Sequence, residues 1–181
     1  IPLAMAGGRP GQLHKELESI LDQSSQEDAL NFYRAFSLAG ARVVDVESFS
    51  LSDRNWEERL KESGKSLLDL MKLSAGHDLV AHEWATYYQR SLGLSERLAM
   101  LVRDMGLNEG VVRTYLEALA EVPDSLVRAK FGLEEAREVS RLAGEALRDT
   151  TLRKASLLDQ DLLQRDINPG STADLIAASL F

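Results

Sequence analysis

The chain has 181 residues, 44% apolar and 28% charged, which is ordinary for a globular protein and long enough to bury a core. A net charge of −8 excludes a surface built to coat nucleic acid or an anionic membrane, and leaves room only for a local basic pocket. There is no cysteine, so disulfides and thiolate metal sites are out. No apolar run approaches the ~20 residues a membrane helix needs, and IPLAMAGG has no basic start of a secretion signal, so the expected location is cytoplasmic.

Helical periodicity runs through nearly the whole chain. LHKELESILD puts Leu13, Leu17, Ile20 and Leu21 on one face. Ser25 reads as an N-cap for QEDALNFYRAFSLAG, with Gln26, Glu27 and Asp28 in the first turn and Gly40 as its close. The one β-like stretch, ARVVDVESFSL, is short and reads as a loop. Trp56 to Leu73 is helical with a break near Gly64. Asp78 caps LVAHEWATYYQRSL, Ser95 caps ERLAMLVRDMG, and Asn108 caps a helix that ends at Pro123. Asp124 then opens SLVRAKFG, followed by LEEAREVSRLAGEAL, LRKASLLDQDLLQRD and the closing DINPGSTADLIAASLF. The expected fold is all-α, an irregular bundle of about eight helices in a single domain over residues 1–181. With apolar ends, IPLAMA and LIAASLF, that domain is expected to be the C-terminal part of a longer polypeptide.

Two stretches can carry chemistry. In NPGSTAD, Pro169-Gly170 makes a turn and Ser171 caps the next helix, with Asp174 three residues on as in a capping box. The first-turn amides of such a helix suit phosphate oxygens, and Asp174 suits an intervening Mg²⁺. The same residues also make an ordinary loop and cap. In EVPDSLVRAKFG, Asp124 can face a metal while Arg128 and Lys130 face phosphates; equally, Asp124 can be the N-cap and the cations a solvated face. In GHDLVAHEWATYY the histidines His77 and His82 are five apart, which poorly matches one helical face and gives no metal motif. Trp84, Tyr87 and Tyr88 there read as core or rim aromatics.

These stretches occur in the same order in triphosphoribosyl-dephospho-CoA synthases. VPDSLVRAKFG resembles the Val-Asp-Asp-Thr-Asn-Leu-Leu-His-Arg-Gly-Gly stretch of bacterial members, and LLDQDLLQRDINPGSTADLIAASLF resembles their Asn-Leu-Ser-Pro-Gly-Gly-Ser-Ala-Asp-Leu-Leu-Ala segment. The likeness is closer to archaeal relatives, which have near counterparts of LMKLSAGHDLVAHEW, and it runs from about Glu27 to Phe181. It implies an all-helical transferase that moves a triphosphoribosyl group from ATP, as Mg²⁺ complex, to dephospho-CoA or a similar acceptor. Asp124 and Asp174 would be the catalytic and metal-binding carboxylates. Arg128, Lys130, Asn168, Gly170, Ser171 and Thr172 would bind the nucleotide. The family's Asp-Thr-Asn stands here as Asp124-Ser125-Leu126, without the amide side chain, and its N-terminal Lys-Pro-Gly and Asn-Thr-x-x-Gly motifs do not occur. The expected partners are small molecules, with a homo-oligomer or a further N-terminal segment completing the site. The alternative is a non-catalytic helical interaction domain or a degenerate nucleotide-binding relative.

Overall fold

The computed structural model describes residues 2–7, 12–39 and 53–181. All regular structure among them is α-helical. The elements are α1 (Pro2–Ala6), α2 (Leu13–Asp22), α3 (Gln26–Ala39), α4 (Trp56–Ser63), α5 (Leu67–Ser74), α6 (Leu79–Ala85), α7 (Gln89–Met105), α8 (Leu107–Glu121), α9 (Ser125–Phe131), α10 (Leu133–Leu147), α11 (Arg153–Gln164) and α12 (Gly170–Leu180). The all-α expectation holds. The helices outnumber the eight expected because several periodic stretches are cut by short joints. Gly40 and ARVVDVESFSL lie outside the described residues. No described helix is long and apolar enough to cross a membrane.

The helices form two compact units, residues 1–88 and 89–181. In the first, Ala29, Leu30 and Tyr33 of α3 pack with Leu60 of α4, Leu67, Leu70 and Met71 of α5, and Ala81 of α6. Its capping boxes are local, and the Leu68 amide in the first turn of α5 also donates to Ser24 Oγ at 3.0 Å from 44 residues away. Ser25 Oγ accepts from Asp28 N at 3.1 Å while Asp28 Oδ2 accepts from Ser25 N at 2.8 Å. Ser66 and Asp69 repeat the reciprocal box. Asp78 accepts from Ala81 N at 2.8 Å. Each box satisfies first-turn amides that have no partner inside the helix. Gly64 sits in the left-handed region and ends α4, at the break expected there. Tyr88 is buried, and the Tyr87 hydroxyl donates to Asp22 at 2.9 Å, so the two are core and rim aromatics.

In the second unit, Ala136, Val139, Ala143 and Ala146 give α10 an apolar stripe at helical spacing. It packs with Leu116 and Leu119 of α8, Val127 of α9, and Leu158 and Leu162 of α11. Two expected caps differ here. Ser95 lies inside α7, where its hydroxyl donates to Leu92 O at 2.7 Å; a serine that bonds back to the preceding turn lets the helix run on. Asn108 lies in the first turn of α8, whose N-cap is Gly106 at φ +87°. Gly132, at φ +91°, joins α9 to α10 in the same way. Both occupy backbone space that side chains rarely enter, and each makes a one-residue joint.

Candidate functional site

The two sequence stretches meet at one residue. Asp124 is fully buried, at 0% exposure. Its Oδ1 accepts from Leu126 N at 2.8 Å and Val127 N at 3.1 Å, capping α9. Its Oδ2 accepts from Thr172 N at 2.7 Å and Thr172 Oγ1 at 2.8 Å, capping α12 across 48 residues of sequence. A carboxylate taken out of water is costly unless donors replace the solvent, and these four do so. Beside it, Ser125 Oγ donates to Ser171 Oγ at 2.8 Å. Gly170 lies close under Leu126: a Cβ there would stand 2.9 Å from Leu126 Cδ2 and would make that side chain shift.

This changes the local reading of NPGSTAD. The N-cap of α12 is Pro169, with no side-chain cap of its own. Ser171 is turned toward Ser125, and the capping oxygen comes from Asp124. The Thr172 amide, expected to meet phosphate, is already used. Gly170 N donates to Asn168 O at 2.8 Å and Ala173 N to Pro169 O at 3.2 Å. Among the described residues no acceptor meets the Ser171 amide.

Asp174 is exposed. Successive helical residues rotate by about 100°, so Asp174 stands about 200° round α12 from Thr172. Asp124 therefore meets one side of the helix start and Asp174 projects from the other. That geometry is against the two sharing one metal, and a metal on Asp124 would have to displace hydrogen bonds already made. Among the described residues no group of three or more His, Asp or Glu could hold a metal ion. Arg128 and Lys130 are exposed in the last turn of α9, and Asn168 is exposed just before α12.

Sequence reasoning missed two features. Tyr115 of α8 is half-buried and its hydroxyl donates to Pro169 O at 3.4 Å, bracing the turn before α12. Burial pushes its phenol far above the usual range, and the nearby Asp124 and Asp159 carboxylates add to this. The second feature is a cavity of about 710 Å³ bounded by α8, α11 and α12. Ala173, Ile176, Ala177 and Leu180 line it from α12, at the spacing of a single helical face. Neither was legible beforehand, because a tyrosine or alanine on an amphipathic helix looks the same whether it faces core or cavity.

The family model described as ATP:dephospho-CoA triphosphoribosyl transferase (CitG) matches residues 1–181. No curated protein sequence matches. Among solved structures, the chain is similar to a candidate triphosphoribosyl-dephospho-CoA synthase from Archaeoglobus fulgidus, with 30% identity and a TM-score of 0.82. That similarity covers 99% of this chain and 76% of the other.

Proposed function

Because the chain belongs to the ATP:dephospho-CoA triphosphoribosyl transferase family, we propose that it moves the triphosphoribosyl group of ATP to a ribose hydroxyl of dephospho-CoA or a similar acceptor. The glycosidic C–N bond of ATP breaks and its electron pair leaves with adenine. A C–O bond forms from the acceptor hydroxyl, and the hydroxyl proton passes to a nearby base and finally balances the departing adenine. Positive charge builds on the ribose carbon in between, so a carboxylate close by lowers the barrier.

The observation that supports this reading is the Asp124 bridge. It locks the start of α12 to the start of α9, the two stretches that carry the family's motifs. In this reading Asp124 is a positioning residue. Asp174, on the exposed side, is the catalytic carboxylate. Asn168, Gly170 and the Ser171 amide receive the nucleotide, with Thr172 holding the turn and Arg128 and Lys130 supplying positive charge to the triphosphate. A Mg²⁺ fits this donor set if substrate oxygens make up most of its shell, since it commonly takes only one or two protein carboxylates. Asp174 is the residue for it, and the ion would neutralise charge on the triphosphate.

Isothermal titration with Mg-ATP, followed by an adenine-release assay with dephospho-CoA, tests the proposal. Binding to the unaltered chain, loss of binding in Asp174→Ala and adenine release only with acceptor present are expected. ATP binding that is indifferent to Asp174 would overturn the assignment. Binding without adenine release would favour a nucleotide-binding relative that has no turnover.

A further inference from the structure

We propose that the cavity bounded by α8, α11 and α12 holds the pantetheine arm of the acceptor, an uncharged chain with two amides and a terminal thiol. This rests on the transferase reading above. The cavity's volume of about 710 Å³ is that of a small-molecule site. Its walls are mostly aliphatic, and its polar groups are few: Tyr115, Ser156, Asp159 and Asn168. Among the described residues no lysine or arginine lines it, while Asp159 does. A triphosphate is therefore the wrong occupant, since its charge would be unpaired there. A purine is a poorer fit as well, because Tyr115 is the sole aromatic among the described lining residues and offers no pair of flat walls.

The shape favours a chain over a ring. The lining runs from Ala173 to Leu180 along α12 and from Leu152 to Leu163 along α11. At 1.5 Å per residue those stretches span roughly 10 and 16 Å. A pantetheine arm is about as long as four extended residues, or about 14 Å. Its two amides can pair with the tyrosine, serine and amide side chains while its methylenes and methyls cover the aliphatic walls. Asn168 and Pro169 are shared between this cavity and the start of α12, so an arm lying here leaves the attached nucleotide end of the acceptor beside the helix start. The rim is unsatisfied at both ends: Leu163, just before the turn into α12, is 71% exposed and Leu180, at the end of α12, is 51% exposed, apolar surface that an occupant would partly cover.

The test is titration calorimetry of dephospho-CoA, pantetheine and Mg-ATP against the unaltered chain and Ala177→Trp, with Tyr115→Phe as a milder second variant. Ala177 is exposed on α12, so the indole fills open space without entering the core. Pantetheine alone is expected to bind weakly. Ala177→Trp should weaken dephospho-CoA by at least about tenfold and abolish pantetheine binding, while Mg-ATP changes less than about twofold. Tyr115→Phe should weaken dephospho-CoA by a few-fold. Equal weakening of Mg-ATP, an unchanged affinity for dephospho-CoA in the filled variant, or no binding of dephospho-CoA to the unaltered chain would each overturn the proposal. Failure of the transferase reading is seen separately, as absence of Asp174-dependent Mg-ATP binding or of adenine release while the arm still binds.

Discussion

The two units hold their helix starts in different ways. In residues 1–88 Ser25, Ser66 and Asp78 each cap an amide three residues on, while the start of α5 also draws on Ser24 Oγ for the Leu68 amide and on Ser25 O for the Leu67 amide, so separate groups make the local and the distant bonds. In residues 89–181 one carboxylate serves two helices, bonding amides two and three residues on and another 48 residues on. A local box stabilises a helix. A shared cap also fixes where that helix lies relative to another, which is what a site assembled from two distant stretches requires.

Breaking the shared cap should have the largest effect. Asp124→Ala leaves three amides and a hydroxyl without their acceptor in the buried junction, and should cost about 3–5 kcal/mol in chemical denaturation. A double-mutant cycle with Thr172→Val should show strong coupling between the two positions. Additive losses would mean that the bridge does not organise the junction. Removing a local box should do less. Ser66→Ala in the first unit should cost about 1 kcal/mol, with hydrogen exchange accelerated in the first turn of α5 and little changed beyond it.

The smallest effect sharpens the contrast at the level of single carboxylates. Glu57, in the first unit, is pulled from 4.5 to about 2 by Arg34 and then Lys61. Asp149, in the second, falls from 3.8 to about 2 because the Thr151 and Lys154 amides donate to it. Both folded values are depressed, so each contribution to stability is full above the unfolded pKa and fades as pH falls toward 2. Salt should separate them. At about 1 M, where screening acts over roughly 3 Å, the Glu57 midpoint followed by NMR should move back toward its ordinary value more than that of Asp149.

The same contrast explains what the sequence made legible. Ser25, Gly64, Asp78 and Asp124 as helix starts or stops could all be read, because each acts on amides or dihedrals a few residues away. So could the two candidate stretches, although not their junction. Ser171 followed by Asp174 has the letters of a capping box, yet Ser171 bonds Ser125 and the cap comes from Asp124. Only tertiary packing selects between those partners. Ser95 and Asn108 misled for a related reason: a residue that can start a helix can also sit inside one when the preceding turn is already formed.

Gly106 and Gly132 have one more consequence. With a single residue between consecutive helices, α7 to α8 and α9 to α10 offer no exposed loop tip. Limited proteolysis should spare both junctions, and affinity tags or reporter domains inserted there would have to unwind a helical turn to be accommodated. Changes of length in this part of the chain are best placed elsewhere, which makes the two glycines rulers for the spacing of the helices around them.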